Sequence, residues 1–103
     1  MKQKITFHEQ SNTTIEEGYN SFIVSQKSRG VSEVTLRNYH SHLKGISYHL
    51  DITMPLDKLS KRNIEEMVVS MRDSGLAHNS VATYLRVLNT FLRWCQKEGL
   101  ADV

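Results

Sequence analysis

One cysteine, one proline and five glycines are spread over 103 residues, and each scarcity excludes something. A single thiol, Cys95, closes no disulfide within the chain, so a disulfide scaffold is excluded and a reducing, cytoplasmic setting fits. A single proline, Pro55, leaves long stretches free of helix breakers. No apolar run approaches the roughly 20 residues that a membrane span needs, so no membrane partner is expected. The opening MKQKITFHEQSN lacks the apolar centre of a secretory leader. Charge of one sign is also scarce. The formal net charge is +2, too small for the whole molecule to act as a polycation, so any affinity for nucleic acid must come from where the charges sit.

Catalytic apparatus is missing as well. There is no G-x-G-x-x-G, no phosphate-binding loop, no convincing pair of carboxylates and no nucleophile–histidine arrangement. His40, His42 and His49 fall close together, with His8 and His78 elsewhere, but no Cys or carboxylate completes a tetrahedral set. No catalytic residue, metal or cofactor is therefore expected. Cys95 falls on an apolar face and reads as a small buried hydrophobe.

What the chain does have is helical periodicity. Its hydrophobic content of 39% and charged content of 23% are ordinary for a soluble globular protein. At this length one domain can bury roughly 60–65% of the unfolded surface. The expected organisation is a loosely attached polar segment over 1–12, a helical domain over 13–99 and the start of a linker over 100–103. No strand pattern and no repeat interrupts it.

The first helix starts at Thr13 or Thr14, since Thr13 with Glu16 and Thr14 with Glu17 both offer a capping-box spacing. Ile15, Tyr19, Phe22, Ile23 and Gln26 trace its inner face. Ser32 caps the second helix, where Leu36, Tyr39, Leu43, Ile46 and Leu50 recur at three–four spacing. Gly45 interrupts it at about 1 kcal/mol relative to Ala; either a neighbouring backbone approaches closely there or the glycine is only tolerated. Leu56 and Leu59 are expected to plug the core from the loop around Pro55. Ser60 caps a third helix with Ile64, Met67, Val68 and Met71 inside, and with Glu65 and Glu66 favouring its N-terminal half. The fourth helix, from Asn79 to Gly99, buries Val81, Tyr84, Leu85, Leu88, Phe91, Leu92 and Cys95. Tyr48 reads as a surface residue, and Trp94 as a packing residue.

Two outer faces carry the candidate chemistry. Along the fourth helix run Asn79, Thr83, Arg86, Thr90, Arg93 and Lys97, with Ser80 at its opening and no carboxylate between them. Along the second run Thr35, Arg37, Asn38, Ser41, His42 and Lys44. Cations can meet phosphates, while Asn, Ser, Thr and His reach base edges or phosphate oxygens. The third helix displays acids and is a poor candidate for phosphate contact. The bland alternative for both faces is an ordinary solvated helix surface.

Three stretches, SEVTLRNYHSHL (32–43), PLDKLSKRNIEEMVVSM (55–71) and SVATYLRVLNTFLRWCQKEGLA (80–101), resemble the N-terminal core-binding domain of tyrosine recombinases, the phage-integrase family. The shared pattern is a Ser-x-x-Thr opening the second helix (Ser32, Thr35), then Tyr39 and Leu43. A loop Leu56/Leu59/Ser60 follows, and then a second Ser-x-x-Thr (Ser80, Thr83) before Phe91 and Trp94. The resemblance implies an all-α, four-helix orthogonal bundle of SAM-like type. It implies binding of double-stranded DNA during integration and excision, beside other recombinase subunits, in a bacterial or phage-encoded protein. The second and fourth helices would face the major groove, with Thr35, Asn38, His42 and Thr83 at bases and Arg37, Lys44, Arg86 and Arg93 at phosphates. The family's cutting residues lie in a following domain, so this chain reads as a non-catalytic piece, monomeric in isolation. The rival expectation is a SAM-like protein-interaction module. A compact helix-turn-helix regulator fits worse, given the long connection before the third helix and the acids on it.

Overall fold

A computed structural model of the protein describes residues 13–100. Within them the chain forms four α-helices and no strand: α1 (Ile15–Ser28), α2 (Glu33–Ser47), α3 (Lys61–Asp73) and α4 (His78–Lys97), with a 3-10 turn at Leu56–Lys58. The segment expected at 1–12, with His8, lies outside the described residues, as does the linker start expected at 100–103 apart from Leu100.

Of the two capping boxes available to α1, the chain uses the second. Thr14 Oγ1 accepts the Glu17 N–H at 3.1 Å, and Glu17 Oε1 accepts the Thr14 N–H at 3.0 Å. Tertiary pairing selects it, because the Thr13 carbonyl accepts the Leu56 N–H at 2.7 Å and Thr14 bridges antiparallel to Pro55. The next two free donors of the helix end, Ile15 N–H and Glu16 N–H, go to the Met54 and Ile52 carbonyls at 3.1 and 2.9 Å. The loop that presents those carbonyls is braced by Asp51, whose carboxylate accepts the Thr53 hydroxyl and the Thr53 N–H. These two bonds hold the Asp51 carboxyl below its ordinary pKa by favouring the charged form.

Ser32 and Ser60 cap α2 and α3 as their spacing predicts, Ser32 Oγ accepting the Thr35 N–H and Ser60 Oγ the Asn63 N–H, each at 3.3 Å. Glu65 and Glu66 fall in the N-terminal half of α3 as expected, outside a first turn that carries no acid, and they pair one turn back with Lys61 (3.9 Å) and Arg62 (3.3 Å). One helix start needs correction. α4 starts before Ser80, at His78, after Ala77, which has no capping side chain. The helices α1, α3 and α4 all stop at a glycine with positive φ, Gly30, Gly75 and Gly99, the left-handed conformation that costs glycine least. After Gly99, the Leu100 N–H returns to the Cys95 carbonyl at 2.9 Å and the Leu100 side chain packs on the core.

The core is built on α4, which packs against each of the other three helices, while α1 also packs on α2. Its centre is aromatic. Phe91 of α4 lies edge-on to Tyr19 (5.1 Å) and Phe22 (5.8 Å) of α1, and Phe22 reaches Tyr39 of α2 at 5.2 Å and Trp94 at 5.6 Å. Such tilted ring pairs add to the burial free energy. The Tyr19 hydroxyl donates to the Tyr39 carbonyl at 2.9 Å, and burial raises its pKa above the phenol range. Leu56 and Leu59 are buried as expected. In α4 the buried set is not the single stripe that periodicity predicts. Val87 is buried, and Leu85 is only half-buried. A helix packed by three neighbours buries more than one flank, and Leu85 falls where α3 leaves a gap.

Gly45 is explained differently from the expectation. What lies nearest is a side chain and not backbone: a methyl group there would overlap the ring and hydroxyl of Tyr84 from α4. Gly45→Ala should therefore lose about 1–3 kcal/mol through overpacking, against the stabilisation that its helix propensity alone would bring. Urea unfolding would register a lower midpoint at unchanged slope, and the loss should vanish in a Tyr84→Ala background.

Cys95 is fully buried, and burial pushes its thiol up to about 12. The unfolded chain releases this proton near pH 8.5, so the folded state holds more protons than the unfolded one between those values. Stability should fall as pH rises through that window. Comparing wild type with Cys95→Ala by denaturant titration at pH 7 and pH 10 would isolate the share due to this thiol.

Candidate nucleic-acid interface

The Tyr84–Gly45 contact brings α2 and α4 together, and a shallow cleft of about 270 Å³ opens beside it. Ser41 and His42 from α2 line one wall; Asn79, Ser80, Thr83 and Tyr84 from α4 line the other. No carboxylate lines it. Of the residues predicted from sequence, Ser41, His42, Asn79, Ser80 and Thr83 thus meet in one place. Asn38 is exposed one turn before His42 on α2, so it extends the same wall.

The side chains in the cleft are held with definite polarity. Thr83 donates its hydroxyl to the Asn79 carbonyl at 3.0 Å, which leaves the oxygen lone pairs as acceptors toward the opening. Thr90 does the same with the Arg86 carbonyl at 3.0 Å. The His42 ring stands edge-on to Tyr84, centroids 5.6 Å apart at 86°. Its Nδ1 is buried without a hydrogen-bond partner. A buried N–H with no acceptor costs about 1–3 kcal/mol, so the imidazole proton belongs on Nε2, where it is a donor.

Other predicted residues stand elsewhere. Thr35 is engaged in the α2 cap, its Oγ1 accepting the Ser32 hydroxyl at 3.0 Å. Arg37 turns toward α1, in a recess shared with Lys27, Glu33 and His40. Arg93 lies beside Asn89 and Gln96 on another flank of α4. Lys44, Arg86 and Thr90 are exposed. The clustered histidines diverge: His40 faces α1, His42 packs on Tyr84, and His49 Nδ1 lies 2.8 Å from Ser70 Oγ of α3.

Charge pairing separates the helices. Among the described residues, the ion pairs are Lys61–Glu65 and Arg62–Glu66, both on α3. Arg37, Lys44, Arg86 and Arg93 carry none. Lys61 and Arg62 of α3 are thus neutralised within their own helix, Arg72 is not, and the cations of α2 and α4 remain available to an external anion. Tyr84, read from sequence as core, proves to be a wall of the cleft; the glycine inside an otherwise regular helix was the hint that something bulky sat against it.

An all-α bundle of four helices with a polar α2/α4 junction defines a SAM-like helical domain. The chain matches the family described as phage integrase, N-terminal SAM-like domain, over residues 18–99. It belongs to that family, and so to the tyrosine recombinases. No curated protein and no solved structure matches it. No helix among the described residues is long and apolar enough to cross a membrane.

Nitrogen-15 spectra of the neutral His42 ring should show its proton on Nε2 and a bare Nδ1. A proton on Nδ1 would mean that the ring is turned the other way.

Proposed function

We propose that this domain grips double-stranded DNA through the α2/α4 face, near the site of strand exchange, as the non-catalytic arm of a tyrosine recombinase acting in integration and excision. The observation that carries this reading is the contrast in charge pairing. Lys44 and Arg86, exposed and without carboxylate partners, stand on the two helices that build an acid-free cleft of short hydrogen-bonding side chains, while Lys61 and Arg62 of α3 are already paired. Arg86 and Lys44, with Lys97, contact phosphates beside the cleft, while Arg37 and Arg93, on neighbouring flanks of their helices, reach phosphates further along the duplex. Ser41, His42, Asn79 and Thr83, with Asn38, Ser80 and Thr90, face base edges or the phosphates beside them. Thr35 contributes through the α2 cap that it completes. The major groove, about 12 Å wide, admits one α-helix, so one of the two helices enters and the other runs along the backbone. The domain is monomeric alone, meets other recombinase subunits on DNA, works in the cytoplasm, and needs no cofactor.

A second reading has its own observation. An apolar recess of about 780 Å³ between α3 and α4 suits a protein-interaction module, and SAM-like bundles serve both uses. The two separate by chemical-shift mapping with duplex DNA at low salt. Shifts confined to α2 and α4 support DNA binding. Silence there, with self-association, supports the alternative.

About five phosphate contacts predict a log–log salt slope near −4 to −5. Arg86→Ala should reduce the slope by about 1 and weaken all sequences alike, while Lys61→Ala should leave it unchanged. Fluorescence anisotropy between about 50 and 200 mM salt reads both. Replacing Asn79 or Thr83 should instead change the ranking of DNA sequences, by about 1–3 kcal/mol per base that either side chain reads.

A further inference from the structure

Two side chains in the polar cleft between α2 and α4 have their hydrogen-bonding polarity fixed by the protein. His42 keeps Nδ1 buried without a partner, its ring held edge-on to Tyr84 with centroids 5.6 Å apart. In the neutral and the charged ring alike, Nε2 then carries a proton and is a donor. Thr83 gives its hydroxyl proton to the Asn79 carbonyl at 3.0 Å. What its oxygen offers to a ligand is therefore an acceptor. The other polar members of the cleft carry no such restriction: Ser41 and Ser80 have hydroxyls that rotate to suit a partner, and the Asn79 amide has both polarities. One fixed donor thus stands on the α2 wall and one fixed acceptor on the α4 wall.

We infer that this pair reads adenine in the major groove, His42 Nε2–H donating to N7 and Thr83 Oγ1 accepting from the N6 amino group. The inference rests on the DNA-binding reading above and adds the base to it. Adenine is the one base whose own major-groove edge sets an acceptor beside a donor. Guanine sets two acceptors there, N7 and O6. It would turn O6 toward the Thr83 lone pairs and leave both oxygens without a proton. Thymine could take the His42 proton at O4, but it has no donor for Thr83.

The composition of the cleft points the same way. Guanine is commonly met by Arg or Lys, and cytosine by Asp or Glu. None of these four residue types lines the cleft, whose volume is about 270 Å³. Fixed polarity is also what makes a short polar pair selective. A hydroxyl free to rotate serves a donor and an acceptor equally well. Thr83 loses that freedom while its proton stays on the Asn79 carbonyl, and His42 cannot present a bare Nε2 without burying a proton on Nδ1 where no acceptor meets it.

Selection of a randomised duplex library by the full chain at low salt tests this, followed by base replacement in the selected duplex. The selection should enrich an A·T position. There, 7-deazaadenine, in which C–H replaces N7, should weaken binding about 5-fold, the worth of one hydrogen bond. The same replacement should cost His42→Ala nothing further. Thr83→Val, which keeps the shape and removes the oxygen, should narrow the preference for adenine over guanine by about 5-fold at an unchanged salt slope. The modified base is read on the unaltered protein, so the test does not depend on a variant that folds. The inference is overturned where no A·T position depends on N7, or where that dependence survives in His42→Ala. It is overturned equally by salt-dependent binding with no base preference, an outcome that leaves the phosphate grip standing. Absence of any binding at low salt removes the DNA-binding reading and this one together.

Discussion

The phenol of Tyr84 lying against Gly45 decides how the two functional helices meet. With any larger residue at position 45, α2 would stand off from α4 or slide past it. The contact also provides a face for the His42 ring and so sets which imidazole nitrogen looks outward. A helix-weakening residue is retained in α2 because its lack of a side chain makes room for an aromatic ring from its neighbour. The polar cleft is the by-product of that approach.

Around this contact the domain divides its work by helix face. The aromatic cluster of Tyr19, Phe22, Tyr39, Phe91 and Trp94 joins α1, α2 and α4 into one body. Glu65 and Glu66 of α3 pair one turn back along their own helix with Lys61 and Arg62. Exposed pairs of this kind add little stability; their consequence here is electrostatic. They offset charge within α3, and with a net charge of only +2 the placement of charges matters more than the total.

Much of the fold was legible in the residues themselves. Ser32 and Ser60 announce helix starts, glycines 30, 75 and 99 announce helix ends, and the inner rows of α1, α2 and α3 follow from spacing alone. What the spacing left open or missed shares a cause. The choice between Thr13 and Thr14, the burial of Val87 in place of full burial of Leu85, and the pairing of Glu65 and Glu66 all depend on a neighbour remote in sequence or on competition between partners. The site was legible in part. The residue types were right for a polar face, and Ser41, His42, Asn79, Ser80 and Thr83 converge. Arg37 and Arg93 diverge because each sits at the margin of its helix face, where a rotation of some tens of degrees moves a side chain to another recess.

By itself the sequence determined the helices, their caps and the residue types on each face, because these depend on contacts within a few residues along the chain. It also determined membership of the phage-integrase SAM-like domains, through the order and spacing of local motifs. Only the tertiary structure decided which faces meet and that Tyr84 belongs to the cleft as well as the core. Those outcomes rest on contacts between helices, and helical periodicity specifies a face without naming what lies opposite it.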